Sequence, residues 1–527
     1  MSTENLSDSP QKSEAEDKSP SLLRSSLVVG IMTMLSRILG LARDVVIAGY
    51  FGSTSSADAF FVAFKIPNFL RRLFAEGAFS QAFVPVLSEY RTKRSFDEVR
   101  YLISRVSGTL AGLLLLVTLV CMLASPLLIR LFAPGFMDYP EKLLLAQEML
   151  RITFPYLLLI SLTALAGSIL NSYNRFAVPA FTPVLLNLSM IGSTVLLSQW
   201  FDEPVMALAW GVVIAGVSQL LLQIPFLLQI RLLPAPGWGH KHEGVRRIMK
   251  LMIPALFGVS VSQVNLLLDT VLASFLETGS VSWLYYSDRL SELPLGVFGI
   301  AIATVILPSL SRKHADDHGD QFSKTLDWAI RLVLLIGVPA GIALFILSEP
   351  LLATLFDYGE MQNRDVIMAG MSLRAYSLGL IAFMLIKVLA PGYFARQDTK
   401  TPVKIAIIAM VANMAFNLML VFWLKHAGLA LATTLSAFLN AGLLFWGLKR
   451  SGVFTPESGW WSFCGRLIFA NLAMAVLLLW MAGDAAWWLD ATLWQRVFEM
   501  AKVVAAGLAV YATALLVVGL RPVHFRH

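Results

Sequence analysis

The sequence predicts an all-α polytopic membrane protein with 14 transmembrane helices. We expect two six-helix lobes related by a pseudo-two-fold axis along the membrane normal, plus two extra C-terminal helices. Composition is the first observation behind this fold class: 57% of the 527 residues are hydrophobic and 14% are charged, whereas a soluble domain carries about 25% charged residues. Uncharged runs such as 110–129 and 405–424 are the second, because about 20 apolar residues cross a bilayer. Internal repetition of the sequence is the third.

Fourteen apolar segments follow one another along the chain. They are predicted near 24–49, 57–90, 102–131, 143–171, 178–199, 204–230, 246–273, 281–311, 323–350, 365–394, 402–423, 427–448, 459–482 and 494–519. Proline lies within several of them, as in kinked membrane helices whose freed backbone groups find partners in neighbouring helices or water. The preceding segment, 1–23, is rich in Ser, Glu, Asp and Lys and is predicted to be a disordered cytoplasmic tail.

Basic residues in the loops predict the orientation of the chain. With the amino terminus in the cytoplasm, roughly 18 lysines and arginines fall in the inner loops and carboxyl tail, and about 4 fall outside. The predicted outer loops at 50–56, 200–203 and 276–280 contain none. We therefore expect a multi-pass membrane protein with both termini in the cytoplasm. The net charge of +7 then reflects topology, and no nucleic-acid partner is expected.

Sequence blocks recur at an offset near 220–225 residues. LVVGIMTMLSRILGLARDVVIAGYF from residue 27 aligns with MIPALFGVSVSQVNLLLDTVLASFL from residue 252, which pairs Asp44 with Asp269. ADAFFVAFK (57–65) aligns with SWLYYSDRL (282–290), and VPVLSEY (84–90) with LPSLSRK (307–313). The repeat predicts an N-lobe at 24–231, spans one to six, and a C-lobe at 246–450, spans seven to twelve. Residues 459–519 contain spans thirteen and fourteen.

Eight ionisable residues lie between positions 25 and 86, in the first two predicted spans, where lipid-facing helices would be apolar. Five are cations and three are anions: Arg37, Arg43, Asp44, Asp58, Lys65, Arg71, Arg72 and Glu76. An arginine at the centre of a membrane helix costs roughly 2.5–3.5 kcal/mol, and it keeps its proton. These residues are therefore predicted to face a water-filled cavity, a partner charge or an anionic ligand.

Helical spacing places many of these groups on common faces. Arg37 and Asp44 are seven residues apart, and Asp58 lies on one stripe with later members of the set. We expect a cavity between the lobes that binds an anionic substrate, because the planar fork of arginine suits phosphate oxygens. The predicted substrate-binding residues are Arg37, Arg43, Asp58, Arg71 and Arg289, and the supporting cavity groups are Asp44, Lys65, Asn68, Arg72, Glu76, Asp288 and Glu292. Internal ion pairing that holds the helices together is the alternative.

A second polar group lies in spans seven, eleven and twelve, at Asp269, Asn413, Asn417 and Thr433. Its oxygens could bind a small cation such as Na⁺, and hydrogen bonding between helices is the alternative. No other cofactor is expected. Coupling to Na⁺, to H⁺ or to the membrane potential all remain open.

The absence of known catalytic motifs from the sequence argues against an enzyme. The sequence contains no phosphate-binding glycine loop, nucleophile elbow, HExxH or CxxC. A membrane-embedded lipid-processing enzyme would need clustered catalytic groups in the loops near the membrane surface, and none is evident. The sequence therefore favours a transporter over an enzyme.

Several motifs resemble one known family. GLARD (40–44), ADAFFVAFKIPNFLRRLFAEGAFSQAFVP (57–85), SWLYYSDRL (282–290) and KVLAPGYFARQDTKTPVKIA (387–406) are similar to the lipid II flippase (MurJ/MviN) family of the multidrug/oligosaccharidyl-lipid/polysaccharide exporter superfamily. The resemblance runs from about residue 22 to near the end of the sequence. It implies two six-helix lobes that open a cationic cavity alternately to each side of the membrane. It also implies that residues 459–519 form a groove for the polyprenyl tail.

The resemblance also implies a location in the bacterial cytoplasmic (inner) membrane, a substrate and site residues. The expected function is movement of lipid II, an undecaprenyl-pyrophosphate-linked disaccharide-pentapeptide, from the inner to the outer leaflet. The family's cavity residues correspond to Arg37, Arg43, Arg71, Arg289 and Asp58, and its sodium site falls near Asp269 and Asn417, where an asparagine replaces a carboxylate. Expected partners are lipid II, membrane lipids and cell-wall synthesis proteins, with the protein a monomer. The alternative function is export of another lipid-linked oligosaccharide or of a drug.

Overall fold

The computed structural model describes residues 19–315 and 319–520, and within these ranges the chain is helical with short connections and no strand. The tail prediction at 1–18 and the side chain of Glu76 lie outside the described part. The first helix begins at Ser19, so the assignment of residues 19–23 to the tail was wrong. Pro20 suits this start, because the first turn of a helix leaves its backbone N–H groups without intrahelical partners.

The first half of the chain forms nine α-helices and a π-helical segment. They are α1 (Ser19–Phe51), α2 (Ser55–Arg71), the π-helical segment Arg72–Phe79, α3 (Ser80–Lys93), α4 (Phe96–Leu123), α5 (Ser125–Phe132), α6 (Pro140–Thr153), α7 (Pro155–Ser172), α8 (Ala177–Leu197) and α9 (Met206–Gln229). The π-helical segment interrupts one continuous rod, α2 to α3, five residues after Pro67. Such segments are frequent at functional sites.

The second half repeats this order. It contains α10 (Glu243–Ser274), α11 (Ser280–Pro294), the π-helical segment Leu295–Gly299, α12 (Ile300–Ala315), α13 (Gly319–Ile346), α14 (Ser348–Phe356), α15 (Asn363–Phe394) and α16 (Lys400–Arg450). Corresponding helix boundaries are offset by 220–225 residues, including those of the two π-helical segments. The predicted internal repeat is thereby confirmed. Three further helices follow: α17 (Trp460–Ala482), α18 (Ala485–Asp490) and α19 (Leu493–Val517).

Several predicted spans have different boundaries in the structure. The predicted span 102–131 ends as α4 at Leu123, and the short α5 begins at Ser125. The predicted span 323–350 is divided in the same way between α13 and α14. The predicted span 143–171 is also divided, between α6 and α7. A proline lies in the first turn of α5 and another in the first turn of α7. These prolines account for the breaks before α5 and α7, because proline starts helices more readily than it continues them.

Predicted spans eleven and twelve form the two halves of α16. The backbone leaves helical geometry at Lys425, with φ 49° and ψ −129°. Asn413 then lies within hydrogen-bonding distance of Thr433 and Ser436, so the two halves run antiparallel. Nine helices in the described ranges, α16 counted once, are long and apolar enough to cross a bilayer. The charged stretches α1, α2–α3, α10 and α11–α12 are not among them, so the count of fourteen spans stays a prediction.

Helix packing shows how the lobes meet. In the first half α8 packs on both α1 and α9, and in the second half α15 packs on both α13 and α16. Helix α10 contacts α3 and the first π-helical segment in one lobe and α16 in the other. Helices α17 and α19 pack on each other and extend the second lobe through α13 and α14. The charged helices α1, α2, α10 and α11 therefore lie where the halves face each other.

Candidate functional site

A polar cavity of about 240 Å³ lies between α1 and α8 of the first lobe and α11 of the second. Three arginines line it, Arg37, Arg43 and Arg289, together with two carboxylates, Asp44 and Glu292. The structure therefore brings together three of the four predicted arginines, although 246 residues separate the nearest pair across the lobes. Positive charge exceeds negative charge among the lining residues.

Asp44 is the carboxylate that pairs with two of the arginines in this cavity. Its carboxylate is 2% exposed and accepts hydrogen bonds from Arg43 at 2.7 and 2.9 Å and from the Tyr285 hydroxyl at 2.8 Å. The Arg289 guanidinium, from the other lobe, approaches its second oxygen at 3.6 Å. One carboxylate thus pairs with arginines from both halves of the molecule.

Each arginine is oriented by neighbouring groups. Arg43 also donates to the Asn187 side chain of α8, at 3.1 Å. Arg289 stacks over the Tyr285 ring and pairs with Glu292 at 3.2 Å, yet its side chain remains 31% exposed. The Arg37 guanidinium occupies the space where a side chain at Gly296 would stand, in the second π-helical segment. The guanidinium groups of Arg37 and Arg289 are partly exposed and that of Arg43 is buried, and a fixed arrangement of this kind suits an anion with several oxygens.

The remaining predicted groups lie on the α2 side. Arg71 does not line this cavity, and its Nε donates to the Asn68 side chain one helical turn away, at 2.9 Å. Lys65 and Arg72 interact electrostatically with Asp288, next to Arg289. The charges of α2 therefore face those of α11. The structure places Arg71 outside the arginine cavity, and its role in substrate binding stays a prediction.

Asp58 has a different position from the one expected. It is 1% exposed and its carboxylate receives a hydrogen bond from Lys142 at 2.9 Å. It also accepts from the Gly279 amide at 2.8 Å and from the Ser282 amide and hydroxyl at 3.0 and 2.6 Å. These amides form the amino-terminal end of α11, so Asp58 of one lobe caps a helix of the other. The structure thus places Asp58 at this helix end and not in the arginine cavity, and its role in substrate binding stays a prediction.

Further contacts between the lobes surround Asp58. The Glu360 amide donates to the Gly49 carbonyl at 3.0 Å, and the Gly135 amide donates to the Ser274 hydroxyl at 3.1 Å. The Tyr286 hydroxyl donates to the Gly52 carbonyl at 3.3 Å. All lie in or beside loops that the sequence predicts to be on the outer side of the membrane. We call this set of contacts the outer seal. Sequence reasoning missed Lys142 and the Gly279 turn, because no spacing pattern reveals a cap contributed by another lobe.

The second polar group comes together as predicted. The Asn417 amide donates to Asp269 at 2.7 Å and to the Asn413 side chain at 3.0 Å, and the Thr433 hydroxyl donates to Asp269 at 3.4 Å. The Asn417 Oδ1 is buried without a hydrogen-bond partner in the described part of the chain. No group of three or more His, Cys, Asp or Glu residues that could hold a metal occurs in these ranges. A site here would therefore use one carboxylate and neutral oxygens, a donor set that suits a monovalent cation better than a transition metal.

Comparisons with known proteins agree on one family. The model of the family described as "Lipid II flippase MurJ" matches residues 47–498. A probable lipid II flippase MurJ from Vibrio cholerae serotype O1 is 52% identical over 509 residues, which cover 95% of this chain and 97% of the relative. The lipid II flippase MurJ of Burkholderia cenocepacia is 42% identical over 510 residues, 96% of this chain and 99% of the relative.

Solved structures show the same architecture. A lipid II flippase MurJ in an inward closed conformation superposes with a TM-score of 0.76 at 28% identity, covering 93% of this chain and 98% of that one. A MATE family multidrug transporter of the MOP superfamily, in an inward-facing conformation, gives a TM-score of 0.66 at 15% identity, covering 81% and 98%. The second likeness concerns the fold alone.

Proposed function

The chain belongs to the lipid II flippase family MurJ, and on that premise we propose that its arginine cavity binds the pyrophosphate of lipid II during passage between the leaflets. The observation that carries the proposal is the convergence of Arg37, Arg43 and Arg289 from two lobes on one cavity within the membrane. Placing three arginines there is costly. An anionic substrate that crosses the membrane explains why the cost is tolerated.

Asp44 has a defined role in this proposal. It is the counter-ion of Arg43 and Arg289 when no substrate is bound. Pyrophosphate oxygens compete with it for the same guanidinium groups, because arginine binds carboxylate and phosphate in the same bidentate manner. Substrate binding thus exchanges one anion for another, so the arginines are never left without a partner.

The size of the cavity indicates which part of lipid II it holds. Its 240 Å³ is below the roughly 300–1,000 Å³ of sites for drug-sized ligands. It therefore accommodates the pyrophosphate but not the disaccharide and pentapeptide, which need a wider opening between the lobes. Similarity to an inward closed conformation supports a state that opens further before loading. Arg71 and Arg72, on the opposing α2 side, then meet the widened cavity.

In this proposal, the outer seal controls access to the arginine cavity from the outer side of the membrane. Asp58 and its partners hold the outer ends of the lobes together while substrate enters from the cytoplasmic side. We propose that the seal breaks when the lobes rock, with both termini in the cytoplasm. The membrane potential favours outward movement of an anionic head group, since one charge moved across 100 mV corresponds to about 2.3 kcal/mol. It also draws an empty cationic cavity back toward the inside.

The polar cluster around Asp269 supplies a site for a coupling cation. Asp269, Asn413, Asn417 and Thr433 would hold Na⁺, and the free Asn417 Oδ1 is an available ligand oxygen. A bound cation would supply charge at the contact between α10 and α16. H⁺ carried by Asp269 is the alternative. Lys65 interacts electrostatically with Asp269 and with Asp288, and so connects this cluster to the arginine cavity.

The final helices complete the proposal. Helices α17 and α19 pack against each other, and their outer faces carry large exposed apolar side chains such as Leu472, Val476 and Leu508. These faces offer a path for the undecaprenyl tail within the lipid. We propose a monomeric, non-enzymatic flippase of the inner membrane that works beside the cell-wall synthesis proteins.

The test is transport of lipid II in reconstituted vesicles. Arg289→Ala should abolish outward movement of lipid II at protein levels near wild type, because Arg289 is 31% exposed and Asp44 keeps its pair with Arg43. Arg43→Ala should also abolish movement, but it leaves the buried Asp44 without its nearest partner and should lower the protein level, so its rate is compared at matched protein amounts. Arg364→Ala is the matched control, since Arg364 is an exposed arginine that pairs with Glu277 outside the cavity. Wild-type rates in both cavity variants would refute the proposal. If lipid-linked sugars without a peptide are transported as fast as lipid II, the protein is a general exporter instead.

A further inference from the structure

A second cavity lies away from the arginine cavity and shares no lining residue with it. It has a volume of about 330 Å³ and is bounded by α4, α7, α10 and the first π-helical segment. Its wall is almost entirely apolar, with Phe79, Val106, Leu110, Leu114, Ile248 and Met252 among the lining residues. The engineered cavity that binds benzene in a protein core is smaller, about 150 Å³.

The mouth of this cavity opens toward the bilayer. Leu113 on α4 and Met249 and Ile253 on α10 line it, and all three are also exposed on the protein surface. Helix α4 is one of the helices apolar enough to cross a membrane. Water does not fill an apolar cavity, and the hydrocarbon chains around the protein have direct access to this one. An acyl chain is therefore the occupant that its chemistry fits.

Aromatic and basic residues mark the level of the lipid head groups. The segment between α9 and α10 lies along α4, where the Gly237 amide donates to the Ser104 carbonyl at 3.1 Å. The ring of Trp238 rests against Gly112 of α4 and is otherwise exposed, as tryptophans at a membrane interface are. Arg246 and Lys250 are exposed on α10, three residues from Met249 and Ile253 at the mouth. Both positive charges thus stand beside the opening to an apolar cavity.

We propose that this cavity binds one acyl chain of an anionic phospholipid, whose phosphate lies on Arg246 and Lys250. The bound lipid belongs to the leaflet at the amino-terminal end of α10, which the sequence places in the cytoplasm. It fills the gap between α4 of the first lobe and α10, the helix that contacts both lobes. The lipid thereby stabilises the contact of α10 with the first lobe. The site is independent of the arginine cavity and of its substrate.

Photo-crosslinking in vesicles tests this site. The full-length protein is reconstituted with phosphatidylglycerol that carries a diazirine in its acyl chain, or with phosphatidylcholine of the same chain, and labelled residues are identified by mass spectrometry. We expect labels on the cavity residues of α4 and α10 with phosphatidylglycerol favoured. Each basic residue near the surface contributes about 1 kcal/mol, so Arg246→Gln with Lys250→Gln should lower that preference by about tenfold or more.

Two substitutions separate the cavity from ordinary lipid contact. Ser161→Phe places a ring in the cavity, and the Ser161 hydroxyl has no hydrogen-bond partner among the described residues, so no bond is lost. It should remove the cavity labels. Leu116→Phe, on the lipid-facing side of α4 where Leu116 is 60% exposed, is the matched control and should leave them unchanged.

Three outcomes would overturn the proposal. One is equal labelling of the lipid-facing and cavity-facing sides of α4. Another is equal labelling by the two lipids in the wild-type protein, which needs no altered protein and so does not depend on folding of a variant. The third is loss of the labels on adding lipid II, which would assign the cavity to the substrate's prenyl chain.

Discussion

Asp44 and Asp58 are two buried carboxylates of the first lobe that both contact α11 of the second lobe, and they differ in every other respect. Asp44 is bound by arginines, and one of these, Arg289, remains 31% exposed beside an open cavity. Asp58 is bound by Lys142 and by the backbone at the start of α11, where Lys142 itself is only 5% exposed. The first carboxylate lies where a ligand can reach its partners, and the second does not.

The difference shows how one residue type performs two functions in a transporter. A carboxylate whose partners face a cavity is exchangeable, because a substrate anion can replace it. A carboxylate buried between a lysine and a helix end has no competitor, and its bonds to the helix of the other lobe form or break only when the lobes meet or separate. The proposal therefore assigns substrate recognition to the arginine cavity and the opening of the gate to the outer seal.

Asp58→Asn should give the largest effect on stability and conformation. Neutralising Asp58 leaves Lys142 buried and unpaired, and breaking a buried pair in this way costs about 3–5 kcal/mol. The unpaired Lys142 lowers the stability of the first lobe, to which α6 belongs, whereas the weakened bonds to Gly279 and Ser282 join the two lobes and so disfavour the outward-closed state. A cysteine introduced at Ser53 should become reactive toward an impermeant thiol reagent added from outside.

The double variant Asp58→Asn with Lys142→Met provides the control. Removing both charges leaves no unpaired ion, so much of the lost thermal stability should return. If Asp58→Asn alone leaves both the melting temperature and the cysteine reactivity unchanged, the outer seal does not hold the lobes together.

Asp44→Asn should destabilise the protein less than Asp58→Asn does, and it should strengthen the binding of lipid II. Asparagine still accepts hydrogen bonds from Tyr285 and Arg43, the buried Arg43 keeps its bond to Asn187, and Arg289 is partly hydrated, so we expect about 1–3 kcal/mol of destabilisation. Loss of the competing anion should tighten lipid II binding, while slower release lowers the rate of transport. Equilibrium binding and vesicle transport, measured on the same preparation, would reveal this split. Weaker binding in Asp44→Asn would contradict the exchange of anions.

Glu277→Gln should have the smallest effect, at the same outer end of the molecule. Burial raises the pKa of Glu277, but hydrogen bonds from Arg364 at 2.8 Å and the nearby Lys425 outweigh burial and hold it below the ordinary value. Its pairs therefore contribute stability at neutral pH that is lost as the pH falls through that lowered pKa. Exposed pairs contribute little, so the melting temperatures of variant and wild type should nearly coincide at pH 7 and converge fully in acid.

Sequence patterns predicted the fold well because its causes are local and repeated. Apolar runs identified the helices, and the aligned pair Asp44 and Asp269 gave the offset that the helix boundaries follow. The breaks at Ala124 and Leu347 were missed, because apolar composition continues across them. Hydropathy does not record where a backbone leaves helical geometry.

The site was predicted less completely. Arginines in apolar helices pointed to Arg37, Arg43 and Arg289, because an unpaired charge in lipid is costly wherever it lies. The same reasoning placed Asp58 and Arg71 beside them, since helical spacing gives the face of a residue but not its depth. Lys142 was not recognised, because a lysine in the first turn of α6 resembles any solvated loop residue.

The affinity of the protein for lipid II, measured in lipid nanodiscs without transport, tests the central claim most directly. Hydrogen bonds to charged groups contribute about 1.5–3 kcal/mol each, so Arg43→Ala with Arg289→Ala should weaken binding by about 100-fold or more. Undecaprenol, which has the same tail without the pyrophosphate, should bind the variant and the wild type alike. An unchanged affinity for lipid II in the double variant would show that the arginine cavity does not recognise the pyrophosphate.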